Sequence, residues 1–388
     1  MKNFLSLVVL SAWLLPVVPA AGAPAPADDP VRRSNPAVPG TAWSVRVADR
    51  PLVFTAPVTA PPGGPAATEA ERALAALDAV LATGGSALAE VVRLTAYAAS
   101  AEALATVAPA VAKAFSSRPV ALTALRTPLA TGDAQVAFEA VTASRRPADA
   151  VVVADPRAAV LPAGGKVFIS GQAERGTELA SAVRLTMAGL WRTLDHLGLQ
   201  RADVVQVKAF VTPFAEHGAA TREIAASFGG LPVPPTVLIE WESTLFAEIE
   251  LVVSARRLPA PEKDKIAYAP LPWLTPSPRY SKVVHVAAGT PLIFVGEIDG
   301  GGATGAREQM KTIFERLGSV LFEAGSSYRN LAKATYYLGP PETRTLLGDI
   351  RGVYYDPTRA PAASALTMKS LGRPGRTALL DMIAVPVK

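Results

Sequence analysis

Three stretches of the 388-residue sequence read GSALAEVVRLTAYAAS from Gly85, GLQRADVVQVKAFVTP from Gly198 and GSSYRNLAKATYYLGP from Gly325. They align without a gap. Five residues after the glycine stand Glu90, Asp203 and Asn330, and twelve residues after it stand Tyr97, Phe210 and Tyr337. A match repeated at this spacing is the signature of a repeated structural unit. The sequence therefore predicts three tandem copies of one unit.

A helix is predicted before each glycine. Apolar residues stand eleven, eight and four residues ahead of it, which places them on one helical face. These residues are Leu74, Leu77 and Leu81, then Met187, Leu190 and Leu194, then Phe314, Leu317 and Leu321. The glycine suits the end of the helix, where a positive φ is needed.

The remaining pattern of each unit is rich in strands. An alternating strand follows the glycine, then a second, weaker helix and two closing strands, clearest at Thr236–Trp241 and Glu248–Ala255. A strand pair opens the unit, as at Val167–Gly171. The predicted fold class is α+β, with the order β-β-α-β-α-β-β in each unit.

The repeat also sets the predicted boundaries. Unit 1 covers residues 41–146, unit 2 covers 147–258 and unit 3 covers 279–388. The proline-rich stretch 259–278 is predicted to be a stiff, extended linker. Residues 24–40 form a Pro/Ala-rich leader.

The first 23 residues are typical of a secretory signal peptide. Lys2 gives the positive start, Phe4 to Val18 the apolar run, and Ala21-Gly22-Ala23 a cleavage site. An uncleaved membrane anchor is the alternative. We expect an exported protein, periplasmic or extracellular, with no membrane association after cleavage.

Composition narrows the possible chemistry. There is no cysteine, which excludes disulfides and thiolate chemistry, and the formal charge of +5 comes without a dense Lys/Arg run interleaved with aromatics. We expect no nucleic-acid partner. His196, His217 and His285 lie far apart and show no metal-ligand spacing, so neither a metal nor another cofactor is predicted. Gly300-Gly301-Gly302 lacks the Gly-Lys-Ser/Thr of a phosphate loop and is interpreted as a flexible connection.

Unit 2 carries motifs that resemble a known family. It contains VFISGQ from Val167, ADVVQVKAFVTPF from Ala202, PPTVLIEW from Pro234 and AEIELVVSA from Ala247. These are similar to the strands of the RidA (YjgF-type) imine-deaminase family. RYSKVVHV from Arg279 in unit 3 and, more weakly, AWSVRV in unit 1 resemble the opening segment of that family.

The resemblance implies an architecture. Family members are homotrimers of chorismate-mutase-like subunits, with ligand sites in the clefts between subunits. Three joined units are therefore expected to close as a pseudo-trimer within one monomeric chain. The alternatives are beads on a string, or units that trimerise with other chains.

The resemblance also implies a reaction, the hydrolysis of a 2-imino acid to a 2-keto acid and ammonia. An arginine would hold the substrate carboxylate and a glutamate would act on water. The arginine position is occupied by Ala121, Thr236 and Ala363 in the three units, so it is lost from all of them. Arg118 and Arg359, three and four residues away, do not reach easily.

Other family positions survive mainly in unit 2. Glu248 matches the glutamate, where units 1 and 3 have Ala137 and Leu379. Ser170 matches the serine of SGQ, with Thr55 and Val295 elsewhere. Tyr280 matches the opening tyrosine, with Trp43 in unit 1.

One remaining site is therefore predicted. It combines Ser170, Thr236 and Glu248 with Tyr280, where Glu248 is the catalytic candidate and the other three bind ligand. Each residue also has a purely structural interpretation: Ser170 closing a turn, Glu248 on a solvated strand face and Tyr280 packing at an interface.

Three functions remain open at this point. The first is a protein without imine deaminase activity that binds a small ligand or a partner in its clefts. The second is an active hydrolase or deaminase that uses Glu248 and Ser170. The third, nucleic-acid binding or ribonuclease activity, is favoured only by the basic charge.

Overall fold

The structure is a computed structural model, which describes residues 31–33, 38–261 and 264–387. The predicted signal peptide, 1–23, lies outside the described residues, as does most of the leader. The membrane-anchor alternative for the N-terminus therefore concerns residues that are not described. Among the described helices, none has the length and apolar character needed to cross a membrane.

Each unit contributes two helices, a longer one and then a shorter one. Unit 1 has α1 (Glu69–Thr83) and α2 (Ala101–Ala114), and unit 2 has α3 (Leu179–Leu197) and α4 (His217–Ser227). Unit 3 has α5 (Ala306–Glu323) and α6 (Glu342–Tyr354).

The strands are numbered in chain order. The segment up to residue 146 holds β1 (Val31–Arg33), β2 (Thr41–Ala42), β3 (Ser44–Val47), β4 (Leu52–Thr55), β5 (Val58–Thr59), β6 (Val91–Ala98), β7 (Val120–Arg126) and β8 (Val136–Ala143). Unit 2 holds β9 (Val152–Asp155), β10 (Ala158–Leu161), β11 (Lys166–Gln172), β12 (Val204–Val211), β13 (Thr236–Glu240) and β14 (Ala247–Ser254). The remaining strands are β15 (Ile266–Ala269), β16 (Val283–Val286), β17 (Leu292–Asp299), β18 (Leu331–Leu338), β19 (Ala362–Thr367) and β20 (Ala378–Ala384).

The predicted helical face is present in all three units. The nine apolar residues that the spacing selected are all buried against the sheets. Gly85, Gly198 and Gly325 follow their helices with φ of 73°, 70° and 72°, as the helix-end prediction requires. The mixed α+β class and the element order follow the sequence prediction.

These strands form three mixed sheets, and each sheet takes strands from two units. The sheet orders are β2-β7-β6-β8-β4-β10-β9, β13-β12-β14-β11-β16-β15 and β1-β3-β17-β20-β18-β19. In each, the strand after the long helix pairs in parallel with the strand after the short helix and antiparallel with the closing strand.

An exchange of opening strands joins the units. β10 of unit 2 pairs with β4 of unit 1, and β16 of unit 3 pairs with β11 of unit 2. β3 of unit 1 in turn pairs with β17 of unit 3. The first and last units are therefore in direct strand contact.

The predicted linker is not entirely a linker. Within 259–278, β15 pairs with β16 and extends the sheet of unit 2. Ile266 of this strand is buried. The four residues of β15 lie between Pro261 and Pro270 and include no proline, so their amides are free to form a ladder.

The core has two kinds of apolar region. Each pair of helices covers one face of its own sheet, forming three outer clusters. The opposite faces of the three sheets meet in two central clusters that draw on all three units. One central cluster contains Val141, Val252 and Ile383, and the other contains Ala137 and Leu379.

A layer of buried charge separates the two central clusters. Its residues stand midway along the strands, between members of one cluster and members of the other. They form three ion pairs, each between two units: Arg93–Asp381 at 2.8 Å, Lys208–Glu139 at 3.1 Å and Lys333–Glu250 at 2.7 Å. We call these six residues the ion-pair layer.

Candidate functional site

Three clefts lie where neighbouring units meet, and they differ in chemistry. At the 2–3 cleft, the Ser170 amide of unit 2 donates to the Lys282 carbonyl of unit 3, and the Lys282 side chain contacts Tyr280. Glu248 of unit 2 lies within electrostatic range of Lys282 and of Arg344. The 1–2 cleft contains Tyr97, Ala137 and Thr236, and the 3–1 cleft contains Trp43, Leu122 and Glu297.

Glu248 is the central acidic residue of the 2–3 cleft. It lies on β14 opposite Phe210 of β12 and is half-buried. Burial raises the pKa of Glu248 to about 7, and the negative charge of Glu250 adds to this rise. The positive charges of Arg344 and Lys282 act in the other direction and favour the ionised form. A carboxyl group with this pKa can both give and take a proton near neutral pH.

The backbone of β11 makes room for that carboxyl group. Between Ile169 and Gln172 the register with β14 shifts by one residue, which is a bulge at Ser170-Gly171. A Cβ atom at Gly171 would overlap the carboxylate of Glu248. Gly171 therefore has a role that the sequence alone left unassigned, since it admits the Glu248 side chain.

Ser170 is fully buried, with 1% of its surface exposed. Its amide donates to the carbonyl of Lys282 at 3.0 Å, which ties unit 2 to the opening segment of unit 3. Its Oγ has no hydrogen-bond partner among the described residues. A buried hydroxyl without a partner favours a bound molecule in that place, because leaving it unpaired is unfavourable.

Tyr280 of unit 3 is paired with a cation. Lys282 Nζ donates to the Tyr280 hydroxyl at 2.8 Å and lies 4.6 Å from the centre of its ring. This lysine was not identified from the sequence. Its signal was the short spacing in RYSK, where it follows the tyrosine by two residues.

Arg344 is the second cation that sequence reasoning missed. It lies in the first part of α6, and its Nη2 donates to the carbonyl of Ala365 at 2.8 Å. Ala365 is two residues after Ala363, where the family arginine is absent. The sequence analysis weighed only the arginines near the lost strand position, Arg118 and Arg359, whereas Arg344 on α6 is one of the cations whose charge acts on Glu248.

Thr236 does not join the predicted site. It lines the 1–2 cleft with Tyr97, Thr127 and Ala137, in a cavity of about 190 Å³. Its Oγ1 donates to the carbonyl of Pro234 at 3.1 Å. The predicted combination is corrected accordingly: the edge strand of one unit packs against the SGQ-like strand of the unit before it, so β19 of unit 3, and not β13 of unit 2, lies beside β11.

Strand register also moves one of the lost arginine positions. Thr236 is paired with Val207, which stands nine residues after Gly198. Ala363 is paired with Ala334, which stands nine residues after Gly325. The corresponding residue of unit 1, Leu94, is paired with Leu122, so Leu122 and not Ala121 takes this place. Ala121 instead lies in a central apolar cluster.

The 3–1 cleft holds a cavity of about 170 Å³ with mostly apolar walls, among them Trp43 and Leu122. Two carboxylates line it, Asp299 and Glu297, and the second of these accepts from Arg376 at 2.6 Å and from the amide of Ala124 at 3.1 Å. Both carboxylate oxygens therefore have partners within the protein. Val295 and Leu379, at the serine and glutamate positions, add no polar group.

No metal site is found in the described part of the chain, where no cluster of three or more His, Asp or Glu residues has suitable placement. His196 packs on Trp273 and His217 on Phe214, while His285 lies on β16. In the Gly300-Gly301-Gly302 loop, the Gly301 amide donates to the Asp299 carboxylate at 3.0 Å. A carboxylate in that position disfavours a bound phosphate.

Comparison with known proteins gives likenesses to solved structures only. No protein-family model and no curated protein matches the chain. A member of the YjgF protein family from Neisseria meningitidis is 20% identical, covering 32% of this chain and 96% of that chain with a TM-score of 0.25.

Two further structures match at similar coverage. A Rid-family protein of unknown function from Yersinia pestis is 16% identical and covers 31% of this chain and 99% of that one, with a TM-score of 0.29. A member of the YjgF/YER057c/UK114 family from Mycobacterium tuberculosis is 25% identical and covers 29% and 98%, with a TM-score of 0.22. Each match thus spans about a third of this chain and nearly all of the other.

Proposed function

We propose that this chain, which resembles the RidA (YjgF-type) proteins, binds a small organic acid in the 2–3 cleft and exchanges a proton with it through Glu248. The observation that carries the proposal is the carboxyl group of Glu248, whose pKa is raised to about 7 although the positive charges of Lys282 and Arg344 both act on it. At the same junction of units, the Ser170 hydroxyl is buried without a hydrogen-bond partner among the described residues. Carboxyl groups with strongly perturbed pKa values cluster at functional sites, which supports this role for Glu248.

The chemistry of the ligand follows from the charges. Lys282 and Arg344 bring two positive charges to the cleft, and both act on Glu248. When Glu248 is protonated, neither cation is neutralised by it. An anionic group such as a carboxylate then meets two cations, the Ser170 hydroxyl and a proton donor.

The 2–3 cleft is favoured over the other two for a specific reason. Ala137 and Leu379 stand at the Glu248 position in the 1–2 and 3–1 clefts, so neither cleft has a carboxyl group there to exchange a proton. The charged Glu297 of the 3–1 cleft is already satisfied by Arg376 and Ala124. One polar cleft per chain is therefore proposed.

Hydrolysis of an imine is the second candidate function, and the pKa of Glu248 favours it. Sequence analysis expected no such activity because the strand arginine is missing. With Arg344 and Lys282 in the same cleft, a substrate carboxylate has alternative partners. A water molecule beside Glu248 would then attack the imine carbon, with Glu248 taking the proton of the water.

Binding is tested with 2-oxobutanoate, a 2-keto acid, as the probe, followed by NMR of the full chain from residue 24. We expect binding to weaken at least tenfold in Arg344→Gln and in Lys282→Gln, because each removes a charge-assisted contact of about 1.5–3 kcal/mol. Arg373→Gln is the matched control, since Arg373 lines the 3–1 cleft and is well exposed. Equal loss in all three variants, or no binding to the parent protein, would contradict the proposal.

Ammonia release from freshly generated 2-iminobutanoate separates the two candidate functions. Turnover that disappears in Glu248→Gln, with 2-oxobutanoate binding retained, establishes the hydrolase. Binding without any turnover in the parent protein establishes the binding protein.

We also propose that the three units are copies of one unit closed as a pseudo-trimer in a single chain, and that the protein is exported. The first proposal is supported by the exchange of opening strands, which links unit 1 to unit 3 as well as to unit 2. The second is supported by the signal-like sequence around Lys2 and Ala21-Gly22-Ala23. The mass of the mature protein would show whether cleavage follows Ala23.

A further inference from the structure

Asp49 lies at one of three turns where the chain crosses from one sheet to the next. The turn after β3 leads unit 1 to β4 in another sheet, the turn after β10 leads unit 2 to β11, and the turn after β16 leads unit 3 to β17. The carboxylate of Asp49 accepts hydrogen bonds from Gly164 and Lys166 of unit 2 and from Gly289 of unit 3. One acidic side chain of unit 1 therefore contacts both other units at the crossings.

Both oxygens of the Asp49 carboxylate have donors of their own. Oδ1 accepts from Nζ of Lys166 at 2.6 Å and from the amide of Gly164 at 3.0 Å. Oδ2 accepts from the amide of Gly289 at 2.6 Å and lies 3.1 Å from the Gly164 amide. A carboxylate presents two acceptor oxygens in this way, whereas a halide ion presents one centre. The arrangement of donors therefore fits a carboxylate.

The donors would form an anion site even without Asp49. The side chain of Lys166 is only 1% exposed, and in the described part of the chain its Nζ has one other acceptor, the carbonyl of Gly164 at 2.7 Å. A buried ammonium group without a counter-charge is unfavourable. The ammonium and the two amides all belong to units 2 and 3. These two units thus present a site for one carboxylate, which unit 1 supplies.

The three turns do not repeat one another in sequence. The turns of units 2 and 3 read PAGG at 162–165 and AAGT at 287–290, with no acidic residue in either. Gly164 and Gly289 have φ of 122° and 76°, which residues with a Cβ atom rarely adopt. Unit 1 supplies the anion and the other two units supply the donors, so the contact is not a threefold repeat.

We propose that units 2 and 3 form a binding site for a small carboxylate, and that Asp49 fills it as a ligand carried by unit 1. Asp49 follows the end of β3 by two residues, and β3 is paired with β17 of unit 3. Filling the site therefore secures the strand pair that joins the first unit to the last. This site is separate from the 2–3 cleft, and the inference goes beyond the proposed function.

Chemical rescue in the chain from residue 24 tests the inference. Asp49→Ala empties the site and leaves Lys166 without its counter-charge, so amide hydrogen exchange in β3 and β17 should become roughly tenfold faster or more. Formate, a free carboxylate, should then enter the site and slow the exchange again. A ligand that binds only the closed form slows exchange by the factor 1 + [L]/Kd. A Kd of about 50 mM thus gives roughly tenfold slowing at about 0.5 M formate.

Matched variants separate a binding site from an ordinary ion pair. Asp49→Asn keeps the site filled by a neutral side chain of the same shape, so its exchange should be faster than in the parent protein but should not respond to formate. Asp49→Ala combined with Lys166→Met removes the cation as well, and formate should again have no effect. Asp155→Ala changes an acid that accepts from the Arg157 amide at 2.8 Å in an exposed turn. It should leave the exchange of β3 and β17 unchanged.

The rescue must be specific to the emptied site. Unchanged exchange in Asp49→Ala would overturn the inference, and so would a slowing that sodium chloride at the same concentration reproduces, or that Asp49→Asn shares. If Asp49→Ala does not fold in buffer, formate and not chloride should restore its native circular dichroism, and failure to do so would also overturn the inference. No arm of the test uses 2-oxobutanoate, so its outcome is independent of the proposed function.

Discussion

Replacing Arg93 by methionine should lower the free energy of unfolding by about 3–5 kcal/mol, the range for removing one partner of a buried ion pair. Arg93 and Asp381 are both almost fully buried, with 7% and 2% of their side chains exposed. Among the described residues, the substitution leaves the Asp381 carboxylate in the centre of the molecule with hydroxyl donors alone, the nearer being Tyr337 at 3.1 Å. Chemical denaturation at neutral pH measures the change.

The control for Arg93→Met is an ion pair on the surface. Lys113 and Glu71 are 2.7 Å apart, but 71% and 46% of their side chains are exposed. Lys113→Met should change the stability by less than about 1 kcal/mol. The double variant Arg93→Met with Asp381→Leu should recover much of the loss, since no unpaired charge remains. Equal effects of Arg93→Met and Lys113→Met would show that units 1 and 3 do not meet in the way described.

Glu248→Gln should stabilise the protein at pH 8 by roughly 3 kcal/mol and have little effect near pH 4.5. Burial raises the pKa of Glu248 from an ordinary 4.5 to about 7. The folded state therefore binds the proton more tightly than the unfolded state does. Its contribution to stability is fully present below about pH 4.5 and is lost as the pH rises through 7, and glutamine does not undergo this loss.

The measurement is urea denaturation of both proteins at the two pH values. Glu242→Gln is a suitable control, because Glu242 is an exposed glutamate on the same unit. A stability difference between Glu248→Gln and the parent that does not change with pH would contradict the assignment. Replacing a functional carboxyl group commonly raises the free energy of unfolding when that group is buried, because the folded protein no longer has to accommodate its charge.

Local patterns in the sequence predicted the helices and most of the strands. The 3-and-4 spacing that contains Leu77 and Leu190 predicts which helical residues are buried, because the apolar face of a helix packs against the protein core. Gly198 reports a positive φ for the same local reason. Such patterns do not indicate which strand a given strand pairs with, because alternation defines only its two faces. The sequence of β10 would be the same whether β10 paired with β11 of its own unit or with β4 of unit 1, which is its partner in the structure.

This is why the site was only partly predicted. Ser170, Glu248 and Tyr280 were identified because each lies in a motif. Thr236 was placed with them because it is near Glu248 in sequence, whereas β13 lies at the edge of its sheet away from β11, where Thr236 lines the 1–2 cleft. Arg344 lies on a helix outside every motif, and nothing local indicated where that helix would end up.

The ion-pair layer had a detectable signal that was not used. Arg93 and Lys333 stand eight residues after their glycines, in strands that are otherwise apolar, and Lys208 stands ten residues after its own. Charges in strands buried on both faces need partners. The aligned acids, Glu139, Glu250 and Asp381, were available in the closing strands of all three units.

The exchange of opening strands also bears on how the chain is made. Phe294 of β17 is in register with Val45 of β3, so a strand near the start of the chain is completed only by one near its end. During synthesis the edge of β3 that pairs with β17 stays unpaired after unit 1 is complete. It finds its partner only when about two thirds of the polypeptide that follows unit 1 has been made. Exposed edges are where chains aggregate, so the nascent protein should depend on a chaperone until its last third arrives.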